Sequence, residues 1–179
     1  MIQNFEMKRL KARPLIKNDS HHFLNRFDEV LCQYMPEIPI GTDALFWVDD
    51  KLSFSQSYLC HVIEDINSNR VVGFVQLAES DACKLRDKLA IELGYFFLPE
   101  FWGKGYATEL VSSIINGFVD NNNWDQEVIG WVYDGNIQSV KLLEKNGFFK
   151  AQSKIGFSGD SKTMYVYQSH NLKGLLKNV

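Results

Sequence analysis

Gly103, Lys104 and Gly105 sit between an aromatic run and a helical pattern, in PEFWGKGYATEL (99–110). Small residues at a helix start leave its first N–H groups accessible. Those unpaired amides, with the helix dipole behind them, attract anions. Lys104 adds a positive charge. The chemistry open to such a turn is to hold a phosphate. Two familiar phosphate motifs do not fit. A P-loop has four residues between its glycines and a Lys-Ser/Thr pair after the second, whereas Lys104 alone separates Gly103 from Gly105. A dinucleotide fingerprint, GxGxxG, needs a third glycine or alanine where Thr108 stands. The alternative is a tight strand-to-helix turn with no ligand.

Other reactive side chains lie on either side of this turn. In IELGYFF (91–97), strand alternation puts Glu92 on the same side as Gly94 and Phe96. In NIQSVKLLEKNGF (136–148), Asn136, Ser139 and Leu143 share one helical face. Asn136 is placed to cap that helix. Ser139 has no recognisable base partner in the sequence, so an activated serine nucleophile is not indicated. His61 is alone in a strand and His21–His22 open a helix; either could be a base, but a lone histidine on a half-buried strand is more often structural. Tyr133 ends a strand and reads as core. Cys32, Cys60 and Cys83 are odd in number and widely spaced, with no CxxC and no histidine pair beside them. Neither a disulfide framework nor a zinc site is indicated, and free thiols in a reducing cytoplasm are expected.

These residues must be positioned by ordinary elements. The chain has 179 residues, 45% apolar and 13% aromatic, which suits one domain with a real core. Net charge is −3 with no basic block, so neither nucleic acid nor an anionic membrane is an expected partner. Apolar runs such as LFWV (45–48) are too short to span a bilayer, and the first residues lack a signal-peptide core. FEMKRLKARPL (5–15) reads as a strand ended by Pro14. NDSHHFLNRFDEVLCQYM (18–35) carries Phe23, Phe27, Val30, Leu31 and Tyr34 at helical spacing. PEIPIG (36–41) is a loop, and 42–56 a second helix capped by Thr42 or Asp43. Residues 57–65 and 70–80 form a hairpin, and 89–98 a third β-rich run. Residues 105–122 are an amphipathic helix weakened by Gly117, and 127–134 a strand. The helix at 136–148 stops at Gly147. A hairpin, 148–157 with 162–170, ends the chain. The order is β-α-α-β-β-β-α-β-α-β-β, an α/β (mixed α+β) fold with a mixed sheet and helices on both faces.

IELGYFFLPEFWGKGYATELV (91–111) looks like motif A of the GNAT N-acetyltransferase superfamily. NIQSVKLLEKNGF (136–148) resembles its second signature, at matching spacing. WGKGYATE is most similar to the branch of ribosomal-protein N-terminal acetyltransferases. The resemblance covers essentially the whole chain and implies one GNAT-like domain, 1–179, with a central splayed sheet. Acetyl-CoA is the implied co-substrate, with no metal. The pyrophosphate would lie on the loop Trp102, Gly103, Lys104, Gly105, Tyr106, Ala107 and Thr108; the family often has Gln or Arg in place of Trp102. Pantetheine would pair with the strand edge from Gly94 to Leu98, with Phe96, Phe97 and Leu98 as its contacts, as an added strand. A backbone N–H of Phe97 or Leu98 would hold the thioester carbonyl. Asn136 would contact pantetheine or serve only as a cap.

The resemblance also assigns catalytic roles. Many relatives carry, at the position of Leu143, a tyrosine that protonates the departing thiolate. Here Ser139 is the remaining hydroxyl on that face, and either serves the sulfur or is a helix-surface serine. Glu92 would act on the amine through water, or else pair with a neighbouring cation. The acceptor would lie under the first two helices, walled by Tyr34, Met35, Phe46 and Trp47. Asp43, Asp49 and Asp50 would attract an ammonium there or line a solvated helix face. The implied reaction is direct attack of a primary amine on acetyl-CoA. A protein or peptide N-terminal α-amine fits best, because its pKa of about 8 asks for less activation than a lysine at about 10.4. A small-molecule amine such as a polyamine or aminoglycoside is the alternative acceptor. A CoA-binding module without catalysis is a further alternative, which Leu143 favours. Relatives are often dimers, so a homodimer is possible.

Overall fold

The computed structural model describes residues 4–54, 57–85, 88–120, 126–155 and 159–168. The last residues of the expected terminal strand lie outside them, as does the side chain of Cys83.

Eight strands form one sheet: β1 (Phe5–Glu6), β2 (Leu10–Pro14), β3 (Ser57–Asp65), β4 (Arg70–Leu85), β5 (Lys88–Phe97), β6 (Val128–Tyr133), β7 (Phe149–Ile155) and β8 (Ser161–Tyr167). Their order across the sheet is β1-β2-β3-β4-β5-β6-β8-β7. Among the described residues β5 and β6 run parallel, as expected for strands joined through a helix, and the other neighbouring pairs are antiparallel. The α-helices among the described residues are α1 (Glu29–Cys32), α2 (Ala44–Ser53), α3 (Tyr106–Ile114) and α4 (Ile137–Lys145). Among the described residues no helix is long and apolar enough to cross a membrane.

Three expected elements differ from the prediction. The first strand is a small hairpin, closed by the Met7 N–H donating to Leu10 O at 2.7 Å. The helix expected over 18–35 breaks in two: a 3-10 helix, Lys17–Phe23, and α1. Asn25 between them takes a left-handed φ of 56°, and Asp28 restarts the helix by accepting from Leu31 N at 2.9 Å. Asp19 is drawn back to the sheet by two bonds from Arg13, at 2.7 and 2.8 Å, and one from Ile16 N at 2.9 Å. The aromatic period survives the break because Phe23 and Phe27 both reach the core. The third difference is the end of α3, which continues as a π-helix over Ile115–Asp120.

Helices cover both faces of the sheet. Phe96 of β5 packs on Phe23, Phe27, Trp47 and Phe74, with ring centroids 5.7–6.3 Å away. Its neighbour Phe97 points the other way and meets Tyr106 of α3 at 6.1 Å. The first helical region and α2 therefore lie on one face, and α3 on the other.

Candidate active site

The parallel pair β5–β6 creates the site. Its strands are in register only at Ile91↔Val128 and Glu92↔Ile129, yet β5 runs on to Phe97 and β6 to Tyr133. Beyond Glu92 the two strands diverge. The Leu98 N–H donates to Val72 O on one side of β5, and the Ile91 N–H to Glu127 O on the other, both at 2.8 Å. Alternation then directs the amides of Tyr95 and Phe97 away from β4 and into the gap. Of the two amides expected to hold a thioester carbonyl, Leu98 is committed to the sheet and Phe97 faces the opening.

The gap widens into a cleft of about 1110 Å³. The phosphate-type turn forms its mouth. Gly103 and Gly105 have φ of 73° and 76°, a region that glycine enters without strain. No atom lies within 4 Å of where a Gly103 Cβ would stand. Glu109 N–H closes the first turn onto Gly105 O at 3.1 Å. The amides of Tyr106, Ala107 and Thr108 precede it and have no acceptor within the helix. An extended carrier ending in a diphosphate fits this surface: helix amides at the mouth, and the gap-facing amides of Tyr95 and Phe97 behind them.

The loop is braced from behind. Arg9 donates through its backbone and Nε to the Glu109 carboxylate at 2.6 and 2.7 Å, and through Nη1 to Lys104 O at 2.8 Å. Its guanidinium lies 4.8 Å from the Tyr106 ring centre. Tyr106 donates its hydroxyl to Asp65 Oδ2 at 2.5 Å, pinning α3 to the β3–β4 turn. Trp102 donates its indole N–H to Phe97 O at 2.6 Å, so it fixes the loop to the strand edge. Lys104 folds over Phe101, 4.8 Å from the ring centre. Lys104 and Leu98 are the two expected cofactor-binding residues that do not line the cleft. Phe96, Phe97, Trp102, Gly103, Gly105, Tyr106, Ala107, Thr108, Asn136 and Ser139 all do.

The Asp65–Tyr106 bond yields a test. This bond first, and those from Ser68 next, hold the Asp65 carboxyl below its usual range. The ionised carboxylate therefore stabilises the fold fully above a pH of about 4, and this is lost as pH falls through the lowered value. Asp65→Asn is expected to cost about 2 kcal/mol in thermal unfolding at neutral pH. It should also raise KM for acetyl-CoA by loosening the first turn of α3.

Beside the opening, α4 starts on Asn136, whose Oδ1 accepts from Ser139 N at 3.1 Å. Asn136 is thus a cap, and it also faces the cleft. Leu143 is buried, its Cδ1 3.3 Å from where a Cβ on Gly130 of β6 would stand. Ser139 lines the cleft one helical turn before it.

On the opposite face, Glu92 lines the cleft and accepts from Ser80 Oγ at 3.1 Å; among the described residues it forms no ion pair. Tyr133 is buried, with its phenol near Glu37 and 3.4 Å from Lys162 Nζ. Burial first, and the Glu37 charge next, push that phenol above its usual range. Tyr133 is therefore a polar wall of the cleft as well as part of the core. Tyr34, Met35 and Trp47 line this side as expected. Phe46 does not: it is 72% exposed on the outside of α2. The three aspartates are also turned to other tasks. Asp43 caps α2 by accepting from Phe46 N at 2.8 Å, Asp49 pairs with Lys17 at 3.0 Å, and Asp50 with Lys51 at 3.4 Å. The two histidines at 21–22 and His61 lie outside the cleft lining.

Sequence reasoning missed Glu37, Gln76 and Lys162, which all line the cleft; Tyr95, within the expected strand edge, lines it too. Gln76 left a signal, as a polar residue inside the apolar run RVVGFVQLAES. Glu37, in an irregular loop, left none.

An anion-receiving helix start beside a splayed strand edge suits an extended, phosphate-bearing carrier. The profile of the acetyltransferase (GNAT) domain matches residues 9–149, and the chain belongs to the GNAT acetyltransferase family. It is an acyltransferase with acetyl-CoA as co-substrate. Solved structures share the fold. A GNAT-family acetyltransferase from Bacillus anthracis has 18% identity and a TM-score of 0.75, over 93% of this chain and 98% of its own. A ribosomal-protein-S5-alanine acetyltransferase from Vibrio fischeri has 16% identity and a TM-score of 0.67, over 96% and 99%. A spermidine N-acetyltransferase from Vibrio cholerae, solved with CoA and spermine, has 18% identity and a TM-score of 0.71, over 92% and 98%. No curated protein sequence matches the chain.

Proposed function

We propose that residues 1–179 act as one cytoplasmic catalytic domain that moves acetyl from acetyl-CoA to the N-terminal α-amine of a protein or peptide. The observation that carries this reading is the charge of the acceptor side. Asp43, Asp49 and Asp50 are engaged elsewhere, and the carboxylates that line the cleft there, Glu37 and Glu92, share it with Lys51 and Lys162. Such a balance suits one ammonium on a larger acceptor better than a polycation. An α-amine, with a pKa of about 8, is roughly a tenth neutral at pH 7 and needs little help.

In this reading the amine enters from the Glu92 face and the carbonyl oxygen takes a hydrogen bond from the Phe97 amide. Glu92 receives the amine proton through water. Attack is direct. The two cysteines with described side chains lie outside the cleft lining, and burial pushes the Cys60 thiol up to about 11.

The test is a panel of amines: a peptide with a free N-terminus, the same peptide N-blocked but carrying lysine, spermidine and an aminoglycoside. Thiol release is followed for each, with mass analysis of the product. The free α-amine is expected to give the highest kcat/KM. Turnover confined to lysine, spermidine or the aminoglycoside would overturn the proposal.

A further inference from the structure

We propose that Lys154 and Lys162, meeting at Trp131, bind a carboxylate of the acceptor, so that the enzyme selects peptides with an acidic residue close to the amine. This rests on the peptide reading above and extends it to the acceptor's sequence.

The register places these groups on the acceptor face. A Cβ on Gly130 of β6 would face Leu143 of α4, so Trp131 and Tyr133 point to the opposite face. Glu92 is there too, because it pairs with Ile129 of the same alternating set. Lys162 of β8 stands opposite Tyr133, and Lys154 of β7 opposite Lys162. From Tyr133 outward the sheet therefore presents a phenol, an ammonium and a second ammonium in one row. Trp131, Tyr133 and Lys162 line the cleft, and Lys154 stands one strand further out, on the exposed edge strand β7.

Both ammonium groups meet one ring. Lys154 Nζ lies 4.2 Å from the Trp131 ring centre and Lys162 Nζ 5.2 Å. Lys162 Nζ is also 5.1 Å from the Tyr133 ring centre and donates to its hydroxyl at 3.4 Å. Among the described residues neither lysine forms an ion pair. Glu37 and Asp160 act on the Tyr133 phenol but pair with neither ammonium. Like charges directly opposite on antiparallel strands repel. The indole ring offsets part of that repulsion by attracting both cations. What the pair lacks is a counter-charge, and an anion received between the two ammonium groups supplies it.

That anion belongs to the acceptor. The carrier's diphosphate is assigned to the start of α3, which covers the other face of the sheet, and this leaves the lysine pair to the amine's side. From β6 to β7 there are two strand spacings, about 10 Å. An extended peptide covers that distance in about three residues. An Asp or Glu at the second or third position therefore meets the lysines while the amine stands on the Glu92 side. Lys162, one spacing nearer, takes the larger share.

The experiment uses peptide pairs with a free N-terminus that differ only by Glu or Gln at the second or third position. They are assayed with the wild type, Lys162→Met, Lys154→Met and the double variant. The wild type is expected to favour the Glu peptide roughly tenfold in kcat/KM, mainly through the peptide's KM, with KM for acetyl-CoA unchanged. Lys162→Met should cut that preference to about threefold, Lys154→Met should cut it less, and the double variant should abolish it. The preference should also shrink as ionic strength rises. Lys162→Glu should reverse it, favouring a peptide with Lys in place of Glu, which a purely structural lysine would not do. Thermal unfolding of Lys154→Met should hold, because the apolar stem is kept and a like-charge pair is removed. Equal kcat/KM on the Glu and Gln peptides, or a preference that persists in the double variant, would overturn the inference and leave the α-amine reading intact. If only N-blocked lysine peptides are turned over, the α-amine reading fails, and the inference stands or falls on the same Glu–Gln comparison in those peptides. Turnover confined to spermidine or an aminoglycoside would overturn both.

Discussion

Gly105→Val is expected to weaken CoA binding by about a hundredfold or more, a loss that titration calorimetry reads directly. Gly105 is the N-cap of α3 and holds φ at 76°. An L-residue there costs roughly 1–2 kcal/mol, and a β-branched one more. The new side chain would also stand 3.5 Å from Arg9 Nη2, in the brace that holds Lys104 O. Turning the first amides of α3 by a few tens of degrees removes them from a diphosphate, and each charge-assisted bond is worth about 1.5–3 kcal/mol. Two lost bonds therefore outweigh the backbone strain. Gly41→Ala separates the two effects. Gly41 has a similar φ of 80° with open space around it and lies outside the cleft lining. It should lose stability and leave CoA binding unchanged.

Glu92→Gln should lower kcat roughly a hundredfold while leaving KM for acetyl-CoA near wild type. The side chain lies where the strands part, on the acceptor face, and is oriented by Ser80. Gln keeps that hydrogen-bonding shape and loses the capacity to take a proton. Without a base the reaction must wait for amines already neutral in solution. The variant's rate on an α-amine should therefore climb with pH up to about 8, where that group loses its proton. Glu37→Gln is the companion variant, because Glu37 also lines the acceptor side. A larger loss there than in Glu92→Gln would move the base from the strand to the loop before α2.

Much of the site was legible because it is local in sequence. Gly103 and Gly105 announce a backbone that only glycine adopts freely, and both have positive φ. Asn136 and Gly147 announce the two ends of α4, and both serve there. The parallel β5–β6 pair followed from a helix lying between two strands. What was hidden depends on distance in the chain. The break near Asn25 could not be read from Phe23 and Phe27, because their spacing satisfies a helix and the observed turn alike. It is set by Arg13 reaching Asp19 from the sheet. Trp102 stands where the family often has Gln or Arg; in the fold its indole N–H reaches Phe97 O, five residues back.

The central claim is direct transfer of acetyl within the cleft between β5 and β6. Acetyl-CoA labelled in the acetyl group, mixed with the protein and a peptide bearing a free N-terminus, tests it most directly. One label on the peptide's terminal nitrogen for each thiol released, with none on the protein, is the predicted result. Label retained covalently by the protein before it reaches the peptide, or thiol released without label on any amine, would contradict it.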